Sequence, residues 1–141
     1  MRRKLKGLSQ QQIEKLSYID FRANYLGKIG RIEIKNRFGI SAVSASRYLT
    51  DYSGIAPKNL QYDFKTKTHQ TTKKFKPVFE FDVTQVLKAL STGFGDTLEQ
   101  IPTPFIASES AIALNKPKSE IVAQITRAIY LKKIVNLIYH S

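Results

Sequence analysis

The stretch Phe38-Gly39-Ile40-Ser41 restricts the fold of this chain more than any other. It follows a short segment, Arg31 to Arg37, in which Ile34 and Phe38 are spaced i, i+4 to face inward. A glycine just past such a segment supplies the left-handed backbone that closes a helix. Ser41 is a preferred N-cap, because its hydroxyl accepts an orphan N–H of the next helical turn. The spacing therefore predicts a second helix that ends and a third, Ala42 to Asp51, that begins within a three- or four-residue turn. Two short helices joined in this way form a helix-turn-helix. On the third helix Ala45, Leu49 and Tyr52 line one face, and the small Ala45 permits a close crossing. Ala42, Val43, Ser44, Ser46, Arg47 and Thr50 fall mostly on the other.

The flanking segments extend this pattern. Ser9-Gln10-Gln11-Gln12 reads as a capping box, with Leu8 and Ile13 placed for a hydrophobic staple. Ile13, Leu16, Ile19, Ala23 and Leu26 then recur at spacings of three and four, marking one buried face of a first helix that ends at the Gly27–Gly30 turn. After the third helix, Asn59 to Phe64 alternates apolar and polar, Lys65-Thr66-Lys67-Thr68 follows, and His69 to Phe75 returns. This predicts a β-hairpin with a basic tip. Alone it reads better as a solvated, lysine-rich hairpin loop; after a helix-turn-helix it reads as a wing.

From Phe75 the character changes. Phe75, Pro77, Val78, Phe79 and Phe81 make an apolar crossover, and Asp82 to Ser91 is a short amphipathic helix on Val83, Val86, Leu87 and Leu90. Residues 91–104 carry Gly93, Gly95, Pro102 and Pro104 and read as loop. A last helix, about Lys118 to Lys132, carries more apolar surface than a small domain covers, with Ile121, Val122, Ile125, Ala128, Ile129 and Leu131. Ile134 to Tyr139 reads as a terminal strand. The fold class is mainly α with a small β-hairpin: a winged helix-turn-helix over 1–77, a helical linker or dimerisation region over 78–133, and a strand over 134–141.

Charge separates the two halves. Residues 1–80 hold 17 basic and 6 acidic side chains, a net of +11; residues 81–141 hold 6 and 5, a net of +1. One part of the chain is suited to a polyanion and the other is not. The absence of cysteine excludes disulfides and thiolate metal sites. No signal peptide and no membrane-length apolar run is present, so a cytoplasmic, nucleoid-associated protein is expected. His69 and His140 stand apart without clustered acids, which argues against a metal. No cofactor is implied. No nucleophile–histidine pair or phosphate-cradling glycine loop suggests an enzyme.

Gly30-Arg31, Phe38-Gly39-Ile40-Ser41, Ala45-Ser46, Tyr52, Ala56-Pro57, Asn59-Leu60, Tyr62-Asp63 and Phe75-Lys76-Pro77 together resemble the N-terminal domain of the WYL-domain transcriptional regulators. The likeness is narrower to the branch found beside the BREX and CBASS phage-defence islands, where such proteins act as repressors. It is specific over residues 30–77 and looser after 100, where Ile101-Pro102-Thr103-Pro104 and Ile129 to Ser141 are similar to the linker and first strand of the WYL domain. The resemblance implies a winged helix that binds operator DNA as a homodimer. In that family the WYL domain is an Sm-like barrel that senses a ligand. This chain has no Trp-Tyr-Leu motif and no tryptophan, so ligand sensing is not carried over, and it reads as a truncated regulator.

The expected partners are double-stranded DNA and a second copy of the chain. Val43, Ser44, Ser46 and Arg47 are the candidate base readers, since Ser and Arg hydrogen-bond to base edges and Val meets a thymine methyl. Arg31, Ser41, Thr50, Lys65 and Lys67 are the candidate backbone contacts. Tyr48, Tyr52 and Tyr62 are assigned to core packing rather than base stacking. The apolar faces of 83–90 and 121–131 are the candidate dimer contacts. The competing expectation is a module that binds RNA or DNA without sequence preference.

Overall fold

A computed structural model describes residues 7–91 and 119–140. The loop read over 91–104 and the basic N-terminus lie outside these residues, apart from Ser91. The elements run α1 (Gln10–Leu26), β1 (Lys28–Ile29), α2 (Arg31–Phe38), α3 (Ala42–Ile55), β2 (Leu60–Asp63), β3 (Thr68–Thr71), α4 (Val83–Ser91) and α5 (Ser119–His140).

The helix ends obey local chemistry. Ser9 Oγ accepts from Gln12 N at 3.1 Å while Gln12 Oε1 accepts from Ser9 N at 2.9 Å, which completes the capping box of α1. Gly27 closes α1 with φ +86°. An added Cβ there would stand 3.4 Å from side-chain carbons of Arg127 and Leu131, an ordinary contact, so it is the left-handed cap that calls for glycine. Gly39 closes α2 with φ +63°, and its N–H bonds to Lys35 O at 2.8 Å. Ser41 Oγ then accepts from Ser44 N at 3.1 Å and starts α3.

Between α1 and α2 the two-residue β1 was not anticipated; the sequence there reads only as a glycine-bracketed turn. It pairs antiparallel with β3, and β3 with β2, giving the sheet order β1-β3-β2. Thr71 ties this sheet to the end of α1: its N–H donates to Gly27 O at 3.0 Å and its hydroxyl to Ala23 O.

α1 is the axis of the molecule. The apolar repeat predicts one buried face, yet every residue from Leu16 to Leu26 is buried. The helix-turn-helix covers one side: Ile34, Ala45, Leu49 and Tyr52 belong to the same core as Leu16, Ile19 and Leu26, and Tyr18 meets Phe38 edge-to-face at 5.4 Å. The crossover covers another through Val78, Phe79 and Phe81, with Phe21 and Phe81 rings 5.3 Å apart. α5 closes the rest with Val122, Ala123 and Tyr130.

Two expectations are corrected. The strand expected over 134–141 is helix through His140. Its β-branched residues fit either state, but a lone strand leaves its edge groups unpaired, whereas continuing α5 satisfies them within the helix. Tyr62 is not core: its side chain is 40% exposed on the outer part of the hairpin, while Tyr52 is fully buried and Tyr48 half-buried.

Candidate nucleic-acid interface

Among the described residues, helix α3 is held from one side only. Ala45, Leu49 and Tyr52 are buried, and helical geometry of 100° per residue puts Val43, Arg47 and Thr50 opposite them. These three are exposed, Val43 to 71%. Ser44 and Ser46 flank this stripe and are half-buried. Their hydroxyl environments differ. Ser44 Oγ accepts from Ser41 Oγ at 3.0 Å, which draws it into the cap, and Ser46 contributes its carbonyl to Thr50 Oγ1 at 3.1 Å. Val43 and Arg47 are therefore the side chains that α3 presents most openly. Arg31 and Ser41 are exposed at the first turn of α2 and at the N-cap of α3. A helix N-terminus offers unpaired N–H groups and a partial positive charge to an anion.

The wing forms as expected, with Leu60↔Thr71, Gln61↔Gln70, Tyr62↔His69 and Asp63↔Thr68 in register. Asp63 organises its tip. One carboxylate oxygen accepts Lys65 N–H at 2.9 Å; the other accepts Thr66 Oγ1 at 3.1 Å and Gln70 Nε2 at 2.9 Å. The Lys65 N–H bond holds the Asp63 carboxyl below the usual range, with the Lys65 charge a smaller contribution. Lys65 and Lys67 are exposed, and Lys67 takes the left-handed conformation at φ +56°.

Three further lysines escaped the sequence-based assignment. Lys58, Lys74 and Lys76 border a shallow depression of about 430 Å³ beside Pro57. Their signal was visible as the run Lys73-Lys74-Phe75-Lys76, but not their convergence with Lys58. Between Lys58 and Lys76 there are six lysines and a single acid, Asp63.

Behind the interface lies a buried polar network that the sequence did not suggest. Tyr52 of α3 donates its hydroxyl to Asp20 of α1, and Asn59 Nδ2 donates to Tyr52 Oη at 3.1 Å. The Asp20 carboxylate also accepts the N–H groups of Val78 and Phe79 at 3.0–3.1 Å. Asn59 clamps Lys76 from both sides, donating to its carbonyl at 2.8 Å and accepting its N–H at 3.0 Å. The central helix, the third helix and the crossover thus meet at one carboxylate, and Asn59, just before the wing, joins them through Tyr52 Oη. Burial pushes the Asp20 carboxyl up to about 6 against the opposing effect of these hydrogen bonds. Burial, reinforced by the neighbouring Asp20, pushes the Tyr52 hydroxyl well above its ordinary value, which keeps it a donor.

A helix-turn-helix whose third helix runs into a two-stranded wing, closed by a short strand from before the second helix, defines a winged-helix domain. Residues 11–92 match the BrxR transcriptional regulator winged helix-turn-helix domain, and the chain belongs to that family. It is 32% identical to the DNA-binding transcriptional repressor CapW of Escherichia coli strain KTE188, a match that covers 92% of this chain and 45% of the relative. It is 29% identical to CapW of Pseudomonas aeruginosa over the same shares, and 27% identical to CapW of Stenotrophomonas maltophilia over 90% of this chain and 40% of the relative. The chain spans less than half the length of these relatives.

Proposed function

We propose that this chain binds double-stranded DNA as a sequence-specific transcriptional repressor. The observation that carries this is the one-sided support of α3: buried Ala45, Leu49 and Tyr52 fix the helix while Val43 and Arg47 stand exposed opposite them. A helix carrying short polar side chains and one arginine on its free face fits the major groove. Arg47 is the principal base reader, bridging guanine O6 and N7; Val43 meets a thymine methyl, and Ser44 and Ser46 add shorter-range contacts. Arg31, Ser41, Thr50, Lys65 and Lys67 hold phosphates and set the register. Membership of the BrxR family and the names of the CapW relatives support the same reading.

One such domain reads few base pairs, so a homodimer on a palindrome with half-sites about 10 bp apart, or a multiple of that, is the expected arrangement. Helix α4 spends Val83, Val86 and Leu90 on the core and leaves only Leu87 exposed among its apolar candidates. The dimer contact therefore falls to α5, where Ile121, Ile125 and Ile129 lie exposed at four-residue spacing. The resemblance to repressors found beside phage-defence islands supports control of such a locus.

Fluorescence anisotropy tests the proposal, using duplex from the region upstream of the chain's own gene against scrambled duplex and RNA of equal length at several salt concentrations. Repression by sequence predicts a preference of about 10³-fold or more for the native duplex, with a salt slope that reports several phosphates. Equal binding of all three overturns it in favour of a general polyanion module.

A further inference from the structure

Lysines account for the charge of the wing but not for its aromatic surface. Phe64, the residue after β2, is 84% exposed, more than any other large hydrophobic among the described residues. A single exposed ring is ordinary, whereas here three rings are in contact. Tyr62 lies on β2 and His69 stands opposite it on β3, while Phe64 follows the strand at the start of the turn. Tyr62 meets Phe64 edge-to-face at 4.8 Å and His69 at 5.0 Å. Among the described residues, the buried Nδ1 of His69 has no hydrogen-bond partner, so this ring packs as an apolar plate.

The ladder leads outward from half-buried Leu60 to a stiff tip. The Asp63 carboxylate fixes the turn from three sides, Thr66 and Thr68 hydroxyls are bonded at 2.7 Å, and Lys67 holds a left-handed conformation that a side-chain-bearing residue keeps only when its surroundings impose it. Phe64 is thus presented at low entropic cost, with exposed Lys65 and Lys67 following it. An apolar ring inside a cationic rim is complementary to a DNA minor groove, whose walls are phosphates and whose floor accepts apolar side chains between base steps.

We propose that Phe64, backed by Tyr62 and His69, is a wedge that enters the minor groove and opens a base step, while Lys65 and Lys67 hold the flanking phosphates. This rests on the DNA-binding function proposed above. It adds a source of sequence preference at a place α3 does not read, because pyrimidine–purine steps unstack most readily.

The test is a duplex from the upstream region, labelled at both ends for energy transfer, titrated with wild type, Phe64→Ala, Phe64→Leu and Lys67→Ala. Wild type shortens the end-to-end distance. Phe64→Ala binds about tenfold more weakly with an unchanged salt slope and leaves the duplex straight, whereas Phe64→Leu restores the bend. Lys67→Ala keeps the bend and lowers the salt slope. Normal binding and bending by Phe64→Ala overturns the wedge, as does a wild type that binds without bending. Loss of self-association by Phe64→Ala in sedimentation, with DNA binding intact, overturns it in favour of a protein contact. A wild type that binds no upstream duplex overturns the DNA-binding function and the wedge together, and only that outcome removes both.

Discussion

The two faces of α3 are built on opposite terms. Its outer face carries Val43, Arg47 and Thr50 in solvent, positioned by helical spacing alone. Its inner face ends in Tyr52, whose hydroxyl is locked to Asp20 and Asn59 in the buried interior. Residues on the outer face are free to vary, because little packing depends on them. Residues on the inner face set where the outer ones stand. Under the proposed DNA-binding function, affinity and specificity would belong to one side of the helix and rigidity to the other, and mutations should separate them.

The largest effect is expected from Tyr52→Ala, which removes a fully buried ring and leaves Asp20 and Asn59 short of a partner. A loss of about 3–5 kcal/mol in denaturant unfolding is predicted; a change within about 0.5 kcal/mol would show that the network is not a support. The next is a pH effect. The Asp20 carboxyl is raised from 3.8 to about 6 in the folded chain, so the folded state holds that proton more tightly than the unfolded one. Its contribution to stability is fully present below about pH 4 and is lost as pH rises through about 6, with a slope of at most about 1.4 kcal/mol for each step of one in pH. The stability of wild type relative to Asp20→Asn should fall across that window, and parallel curves would refute the assignment.

On the outer face, Arg47→Ala should leave the melting temperature unchanged and cost about 1–3 kcal/mol of discrimination between native and altered duplex. Equal weakening on every sequence would move Arg47 from base reading to backbone contact. Smallest of all, Lys67→Ala should weaken all duplexes alike and reduce the salt slope by about 1. A sequence-dependent loss there would blur the division between helix and wing.

How legible each part was follows from the range of the interactions. The turn at Gly39 and Ser41, the capping box at Ser9 and the existence of the hairpin are set by residues a few positions apart, and the sequence displays them directly. Arg47, Lys65 and Lys67 were legible as types on predicted surfaces. Asp20 was not: it reads as the polar side of an amphipathic helix, and only packing against Tyr52, 32 residues away, and Val78, 58 away, reveals why it is buried. β1 was hidden for the same reason, since two residues make a strand only when β3 arrives beside them. The 134–139 segment misled because β-branched residues favour a strand when neighbours exist, and here the backbone continues the preceding helix instead.

The enclosure of α1 has a consequence for unfolding. Leu16 to Leu26 present no side to water, and their cover comes from both earlier and later parts of the chain. Neither part can detach without uncovering residues of this segment. Heat or denaturant should therefore disrupt residues near both ends of the described chain at a common midpoint, as one cooperative unit. Amide hydrogens of α1, α3 and the first turns of α5 should exchange with similar protection, reporting a single global opening.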